Sequence, residues 1–347
     1  MNSAGFHVAI LGATGAVGQQ MIATLEARNF PIRKLTLLSS ARSAGSRIEF
    51  SGQELIVEEA TPEKFDGVDL ALFSAGGEIS KKFAPEAVKR GAIVVDNTSA
   101  FRMDEGVPLV VPEVNEEDLH HHKGIIANPN CSTIQMVVAL GPLSSQYGLK
   151  KVVVSTYQAV SGAGKAAVDE LYNQSRNILN EEEVMATVLP VKNGNKHHQI
   201  AFNAIPQIDS FTENGYTFEE MKMINETKKI MHMPSLKVAA TCVRLPIETG
   251  HSESVYIELE QKGVNLNDIQ TLLQHSPGIV LEDEPEQQVY PMPAQSVGKN
   301  EVFVGRIRRD LDDETGFHLW IVSDNLLKGA AFNSVQIAES LVKLDLL

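Results

Sequence analysis

The 347-residue chain carries 30 Lys and Arg against 44 Asp and Glu, a formal net charge of -14. That balance argues against a general nucleic-acid or polyanion-binding surface, yet leaves room for a local basic pocket that takes a small anion. Hydrophobic content of 43% and charged content of 21% suit a soluble globular protein too long for one ordinary core, so two domains are expected.

No apolar stretch approaches membrane-spanning length, and Met1–Gly5 offers neither a basic leader nor a long apolar run. Two distant cysteines outside any CxxC pattern make neither a disulfide framework nor a zinc site. The cytoplasm is therefore the expected compartment, with Cys131 a free thiol.

Along the first third, short apolar runs alternate with helix-like segments. Residues 6–11 read as a buried strand, 12–18 as a turn and 19–28 as a helix. Residues 35–38, 70–74, 93–95 and 124–127 read as further strands, with a helix at 81–90. This alternation implies βαβ units and a parallel doubly wound sheet. After about residue 132 the pattern changes. Residues 152–157, 254–260, 302–308 and 317–323 read as longer strands, and Val255, Ile257 and Leu259 alternate with Ser254, Tyr256 and Glu258. That suits a largely antiparallel sheet with one covered face. Helices are expected at 164–179 and 219–231, a mobile stretch at 180–194, and a last helix at 325–344, with Leu327, Ala330, Ala331, Ile337, Ala338, Leu341 and Leu344 at helical spacing.

Gly12-Ala13-Thr14-Gly15-Ala16-Val17-Gly18 follows the first strand and opens a helix. Small residues there let a pyrophosphate approach the backbone and the helix N-terminus. The spacing is GxxGxxG, so the glycines alone are equally those of a tight strand–helix turn; the strand–turn–helix context is what favours a dinucleotide. The second strand is followed by Ser39-Ser40-Ala41-Arg42-Ser43, with no carboxylate for a ribose 2′-OH. An arginine among hydroxyls suits a 2′-phosphate, which favours NADP(H) over NAD(H), although an exposed loop cation reads the same way. Ser74 and Ala75 end a later strand at the same sheet edge.

Asn128-Pro129-Asn130-Cys131-Ser132-Thr133 places a thiol at the mouth of an apolar helix-like segment. Unpaired N–H groups and the helix dipole favour a thiolate there, although a free cysteine also packs as a small hydrophobe. A nucleophilic thiol beside a nicotinamide suggests aldehyde–acyl chemistry through a thioester. Such a site needs an acid/base and cations for a phosphate or carboxylate. Arg244, His251, Arg102 and the pair Glu219/Lys222 are candidates, each with an ordinary structural reading as well. Cys242 reads as a packed thiol. His120–His122 and His197–His198 read as solvated loops, since adjacent histidines do not readily converge on one metal ion.

Together these residues resemble the aspartate-β-semialdehyde dehydrogenase family along essentially the whole chain. The resemblance is carried by GATGAVG at Gly12, SSARSAG at Ser39, LFSAGG at Leu72, VVDNTSAFRM at Val94 and VPLVVPEVN at Val107. It continues through NPNCSTIQM at Asn128, STYQAVSGAG at Ser155, AFNAIPQID at Ala201, EEMKM at Glu219, TCVRLPIETGHSESV at Thr241 and SDNLLKGAAFNSVQIAE at Ser323.

The resemblance implies an α/β fold: a Rossmann-like dinucleotide domain at residues 1–131 completed by 324–347, and a second α/β (α+β-like) catalytic and dimerisation domain at 132–323. The C-terminal helix would pack back on the first domain. It also implies reductive dephosphorylation of aspartyl-β-phosphate, as a homodimer, toward lysine, threonine, methionine and isoleucine. Cys131 would be the nucleophile, His251 the acid/base and Gln158 an orienting residue. Arg102 and Lys222 would hold phosphate, Arg244 the substrate carboxylate and Glu219 its amino group, with Asn130 beside them. NADP(H) would meet Gly12, Thr14, Gly15, Ala16, Val17, Arg42, Ser43, Ser74, Ala75, Ser161, Gly162 and Asn325. The partners implied are small molecules, with no metal, nucleic acid or membrane. The nearest enzyme rival is an N-acetyl-glutamyl-phosphate reductase, whose acetylated substrate would need no acidic partner such as Glu219. A non-catalytic NADP-binding sensor is the alternative from another class.

Overall fold

The computed structural model describes residues 5–347. Met1, Asn2, Ser3 and Ala4, on which the reading of the leader partly rests, lie outside the described residues. The chain divides into two compact units: residues up to Asn130 with Gly329–Leu347, and Cys131–Lys328.

The first unit is a parallel sheet. It is built from β1 (Phe6–Leu11), α1 (Ala16–Ala27), β2 (Ile32–Ser39), a hairpin of β3 (Arg47–Phe50) and β4 (Gln53–Ile56), and β5 (Glu58–Glu59). There follow β6 (Leu70–Phe73), α2 (Gly77–Lys89), β7 (Ile93–Asp96), α3 (Pro112–Asn115) and β8 (Ile125–Ala127). The sheet order is β5-β2-β1-β6-β7-β8, with all pairings parallel. Every residue of β1 is buried, as a central strand covered on both faces requires.

Val8, Ile10, Leu70 and Leu72 pack with Met21 and Leu25 of α1 and with Val335, Ala338 and Leu341 of the C-terminal helix Phe332–Lys343. Ala9, Leu11, Ala71 and Phe73 point the other way, onto Phe83, Ala84 and Ala87 of α2. The C-terminal helix thus completes one face of this unit. The strand order reverses at β1, which has β2 on one side and β6 on the other, so its C-terminal end opens a crevice suited to a ligand. Gly12 follows it with φ at 94°, and a Cβ there would lie 2.9 Å from the Ser74 backbone. Only glycine fits this turn.

The second unit begins with α4 (Cys131–Tyr147) and continues with β9 (Leu149–Gln158), α5 (Lys165–Leu179), α6 (Phe218–Ile230), β10 (Lys237–Arg244) and β11 (His251–Leu259). Then come α7 (Leu266–Gln274), β12 (Ile279–Leu281), β13 (Val302–Arg309) and β14 (Gly316–Ser323). Its sheet has the order β10-β9-β11-β14-β13-β12. It is mixed: β9–β10 and β12–β13 run parallel, and the other three neighbours antiparallel. The β9–β10 pair is parallel because β9 reaches β10 through a long crossover holding α5 and α6, where an antiparallel neighbour needs only a hairpin.

One face of this sheet is apolar and fully buried, through Val152 and Val154 of β9, Val255 and Ile257 of β11 and Leu319 and Ile321 of β14. A Thr217/Glu220 capping box starts α6; such a cap contributes about 1 kcal/mol. The second oxygen of Glu220 accepts from the Cys242 backbone N–H at 3.0 Å, which pins the start of α6, and hence Glu219, to β10. Residues between α5 and α6 form no regular element other than bridges and turns.

Candidate active site

In the first unit, a cavity of about 440 Å³ lies at the C-terminal ends of β1, β2 and β6. Gly12, Thr14, Gly15, Arg42, Ser43, Ser74 and Ala75 line it. The buried Ser74 hydroxyl has no hydrogen-bond partner, so a polar ligand in the cavity would satisfy a group that otherwise carries a desolvation cost. These features fit a dinucleotide: small residues at the turn, an open helix start for a pyrophosphate, and Arg42 among serines. Lys82 and Glu59 also line the cavity, and the sequence reading missed both. Glu59 arrives through β5, whose pairing with β2 sets it opposite Ser39, and Lys82 stands on α2. Neither lies in the segment after β2 where an adenosine-binding residue is sought.

Arg102 is buried in this unit, where Nε donates to the Asn128 carbonyl at 2.9 Å and Nη2 to that of Asn97 at 3.0 Å. Asn128 is tied by its side chain to Asn97, and Asn333 of the C-terminal helix donates to it at 2.7 Å. The segment leading to Asn130, itself buried, is therefore held by the sheet and by the last helix together.

In the second unit, Cys131 is the first residue of α4 and is half-buried. Gln158 ends β9, Arg244 ends β10 directly opposite it, and His251 begins β11 opposite Ser323. Sheet register thus brings residues 158, 244 and 251 to one end of the sheet. Gln158 Oε1 accepts from Thr156 Oγ1 at 2.9 Å, and its Nε2 donates to Glu219 Oε1 at 3.1 Å and lies 3.4 Å from His251 Nε2. Lys222 donates to the other Glu219 oxygen at 3.2 Å and to Asp209 at 3.1 Å. Arg244 is buried and donates to the Ala159 carbonyl at 2.7 Å. Burial lowers its pKa, against the upward pull of Glu219, Cys131 and Cys242. An arginine stays charged regardless, so it is a fixed buried cation within electrostatic reach of the Cys131 thiol.

His251 is fully buried. Desolvation first, and the Arg244 charge second, push its pKa down to about 3 against a smaller upward pull from Glu219. Its Nδ1 accepts from the Ala159 N–H at 3.1 Å, so the neutral ring carries its proton on Nε2, and this tautomer follows from the hydrogen-bond pattern. At that pKa the resting ring is neutral. Gly162 lies over it: an added Cβ would sit 3.2 Å from Arg244 Nη1 and 3.4 Å from His251. Ser161 and Asn325 are joined, with Asn325 Nδ2 donating to Ser161 Oγ at 3.0 Å and Gly250 N–H donating to Asn325 Oδ1 at 2.8 Å.

Asp209, half-exposed with φ at 69°, is a partner of Lys222 that sequence reading missed. It ends one of the segments that carry the resemblance, but only the fold shows what it meets. Cys242 is fully buried with its Sγ 3.8 Å from Met223 Sδ, and burial pushes its thiol pKa up. Among the described residues no group of three or more His, Cys, Asp or Glu side chains could hold a metal ion, and no helix is long and apolar enough to cross a membrane.

A dinucleotide-type cavity in one unit, and in the other a thiol at a helix start within electrostatic reach of a buried arginine, are features that suit an oxidoreductase using a nicotinamide dinucleotide. Residues 7–122 match the semialdehyde dehydrogenase NAD binding domain and residues 140–328 the semialdehyde dehydrogenase dimerisation domain. The aspartate-semialdehyde dehydrogenase of Bacillus subtilis is 72% identical over 342 residues, covering 99% of both chains, and that of Aquifex aeolicus is 53% identical, covering 98% of both.

Among solved structures, aspartate semialdehyde dehydrogenase II of Vibrio cholerae in complex with ASA is 46% identical at a TM-score of 0.93, covering 98% of this chain and 99% of that one. A Candida albicans enzyme with NADP is 25% identical at a TM-score of 0.76, with 99% of each chain covered. The chain belongs to the aspartate-semialdehyde dehydrogenase family. It is an oxidoreductase of amino-acid biosynthesis with an NAD(P)-binding domain.

Proposed function

We propose that the protein catalyses the reversible, NADP-dependent reductive dephosphorylation of aspartyl-β-phosphate to aspartate β-semialdehyde through a thioester on Cys131. The observation that carries this reading is the convergence of Gln158, Arg244, His251 and Glu219 at one end of the sheet, with Arg244 in electrostatic reach of Cys131.

In the biosynthetic direction the Cys131 thiolate attacks the β-carbonyl carbon. A C–S bond forms, the C–O bond to phosphate breaks, and inorganic phosphate leaves with the bonding pair. Gly12, Thr14 to Val17, Arg42, Ser43, Ser74, Ala75, Ser161, Gly162 and Asn325 would hold NADPH, which would supply hydride for reduction at that carbon. His251, protonated by the proton that Cys131 gives up on attack, passes that proton to the oxygen that becomes the hemithioacetal hydroxyl and takes it back as the C–S bond breaks and the aldehyde separates. Gln158 orients the intermediate; Arg102 and Lys222 neutralise the departing phosphate, with Asn130 beside the thiol.

Arg244 takes the α-carboxylate through parallel hydrogen bonds, and Glu219 takes the α-ammonium. That pairing favours a free amino acid over an acetylated one and sets this reading above an N-acetyl-glutamyl-phosphate reductase. Arg42 and Lys82 favour a 2′-phosphate and so NADP(H). We assign residues 1–131 with 324–347 to cofactor binding and 132–323 to catalysis and dimerisation, and place the enzyme in the cytoplasm.

A homodimer forms through the open face of the second sheet, where Val153 and Tyr256 stand beside the ring pair Tyr157–Trp320, centroids 5.5 Å apart. The test is phosphate-dependent reduction of NADP and NAD with aspartate semialdehyde and with the N-acetyl-glutamate semialdehyde. Turnover confined to the acetylated substrate would overturn the assignment, and sedimentation of a monomer would overturn the dimer.

A further inference from the structure

Glu253 is a fully buried acid that the reaction above does not use. It lies two residues after His251 on β11, on the same inner face, opposite Thr156 of β9 and Ile321 of β14. Neither of its carboxyl oxygens closes a hydrogen bond, and it has no cation partner among the described residues. Facing it from α4 is Gln135, also fully buried, whose amide nitrogen has no regular partner. The amide oxygen of Gln135 is held by Ser323 Oγ at 2.7 Å, and Ser323 is the residue opposite His251. Gln135 stands four residues after Cys131, one turn along the same helix face. The pairs Cys131/Gln135 and His251/Glu253 are therefore the same-face neighbours of two elements that meet at Gln135, Ser323 and Glu253.

The surroundings favour the neutral acid over the charged one. From β10, the Cys242 thiol is pushed up by burial and then by Glu219, Glu220 and Glu253, so the carboxyl shares its neighbourhood with two acids of α6. From α4 the facing group is the neutral Gln135, and from β9 and β14 the register neighbours are Thr156 and Ile321. Burial pushes the Glu253 pKa well up, and the Gln135 amide offsets only part of that. A carboxylic acid and a primary amide each offer one donor and one acceptor on one edge, and so are complementary.

We propose that Glu253 is a positioning residue: a neutral carboxylic acid that engages the Gln135 amide and, with Ser323, holds the helix bearing Cys131 in register with the strand bearing His251. The proposal rests on the roles given above to Cys131 and His251. Removal of the brace lets thiol and imidazole drift, and an ångström of misplacement costs about 100-fold in rate.

The experiment compares Glu253→Ala and Glu253→Gln by steady-state kinetics, by the rate of Cys131 alkylation with iodoacetamide, and by infrared difference spectroscopy in the protonated-carboxyl region. Glu253→Ala is expected to lose about 10- to 100-fold in kcat with KM little changed and to alter the alkylation rate. Glu253→Gln, which keeps a donor and an acceptor, is expected to restore kcat to within about threefold, with the pH–rate profile unmoved. The wild type should show a protonated-carboxyl band that Glu253→Gln removes.

Equal loss in both variants, or a lost limb in the pH profile of Glu253→Gln, would mean an ionising group and overturn the proposal. So would wild-type rates and alkylation in Glu253→Ala. If Glu253→Ala does not fold, the infrared band and Glu253→Gln decide alone: no band in the wild type refutes the neutral acid. Should the enzyme fail to turn over aspartate semialdehyde at all, the functional reading falls, while alkylation and infrared still test the brace.

Discussion

Acidification should destabilise the second unit through His251, by an amount that follows from its burial. An ordinary histidine has a pKa near 6.5, whereas His251 is held down to about 3, chiefly by desolvation and then by Arg244. A depressed folded-state pKa gives stability that is present above the unfolded pKa and is lost as pH falls toward the folded one, because the unfolded chain binds the extra proton. The window therefore runs downward from about 6.5 toward about 3. Between about pH 7 and about pH 5 the unfolded state gains roughly 2 kcal/mol from this one site.

The single tryptophan, Trp320, lies on β14 of the second unit, so its fluorescence reports the unfolding of that unit. Urea titrations of the wild type and His251→Asn at the two pH values, followed at Trp320, isolate the contribution, since every other titrating group is common to both. The wild type should lose about 2 kcal/mol more than the variant on acidification. Parallel losses would show that His251 accepts a proton in place, and would refute the neutral resting ring.

Gly162→Ala should lower kcat by about 10- to 100-fold while leaving the melting temperature near the parent's, since the added methyl meets Arg244 and His251 rather than the core; unchanged turnover would refute the tight fit. Cys131→Ala should abolish turnover with both substrates. In the intact enzyme iodoacetamide should label Cys131 at least about 100-fold faster than the buried Cys242, as mass spectrometry of digests would show. Arg42→Ala should raise KM for NADP about tenfold or more with little effect on KM for NAD, the loss expected for one charge-assisted contact to the 2′-phosphate; equal shifts for both cofactors would place Arg42 outside the discriminating contact.

The first unit was largely legible because its information is local. A buried run, a glycine turn and a helix start occupy residues 6–27 without interruption, and the parallel order follows from βαβ alternation. Helix starts were less legible: α1 begins at Ala16 and α2 at Gly77, each a few residues before the apolar period becomes visible. In the second unit the strand segments could be read, but their partners could not. Gln158 meets Glu219 across 61 positions and His251 across 93, and such meetings depend on register, which no single segment encodes. Asp209, Glu59 and Lys82 escaped for the same reason: each reaches its site from an element carrying no local sign of a ligand. Glu253 lies just before the strand read at 254–260, and the pairings are what place it on the inner face.

That inner face explains why the site lies where it does. On β9 the buried positions read Val152, Val154, then Thr156 and Gln158; on β10, Ala240 and Cys242, then Arg244. On β14 they read Phe317, Leu319, Ile321, then Ser323, and on β11 the order is reversed, His251 and Glu253 before Val255, Ile257 and Leu259. Because β11 runs antiparallel to β9 and β14, its polar start lies against their polar ends. Four strands thus turn from apolar to polar at one end of one face, and α4 lays its apolar length on the same face.

Such placement works against folding. A buried neutral histidine costs stability at low pH, and a buried acid held neutral costs stability as pH rises through the unfolded carboxylate pKa, so each group opposes folding in its own range. A core strand needs neither group for packing, since Val255 and Ile257 show what packing alone selects. Their presence together, two residues apart at the sheet end that carries Arg244 and Gln158, is the mark of a strand whose first turn of sequence serves chemistry while the rest serves the core.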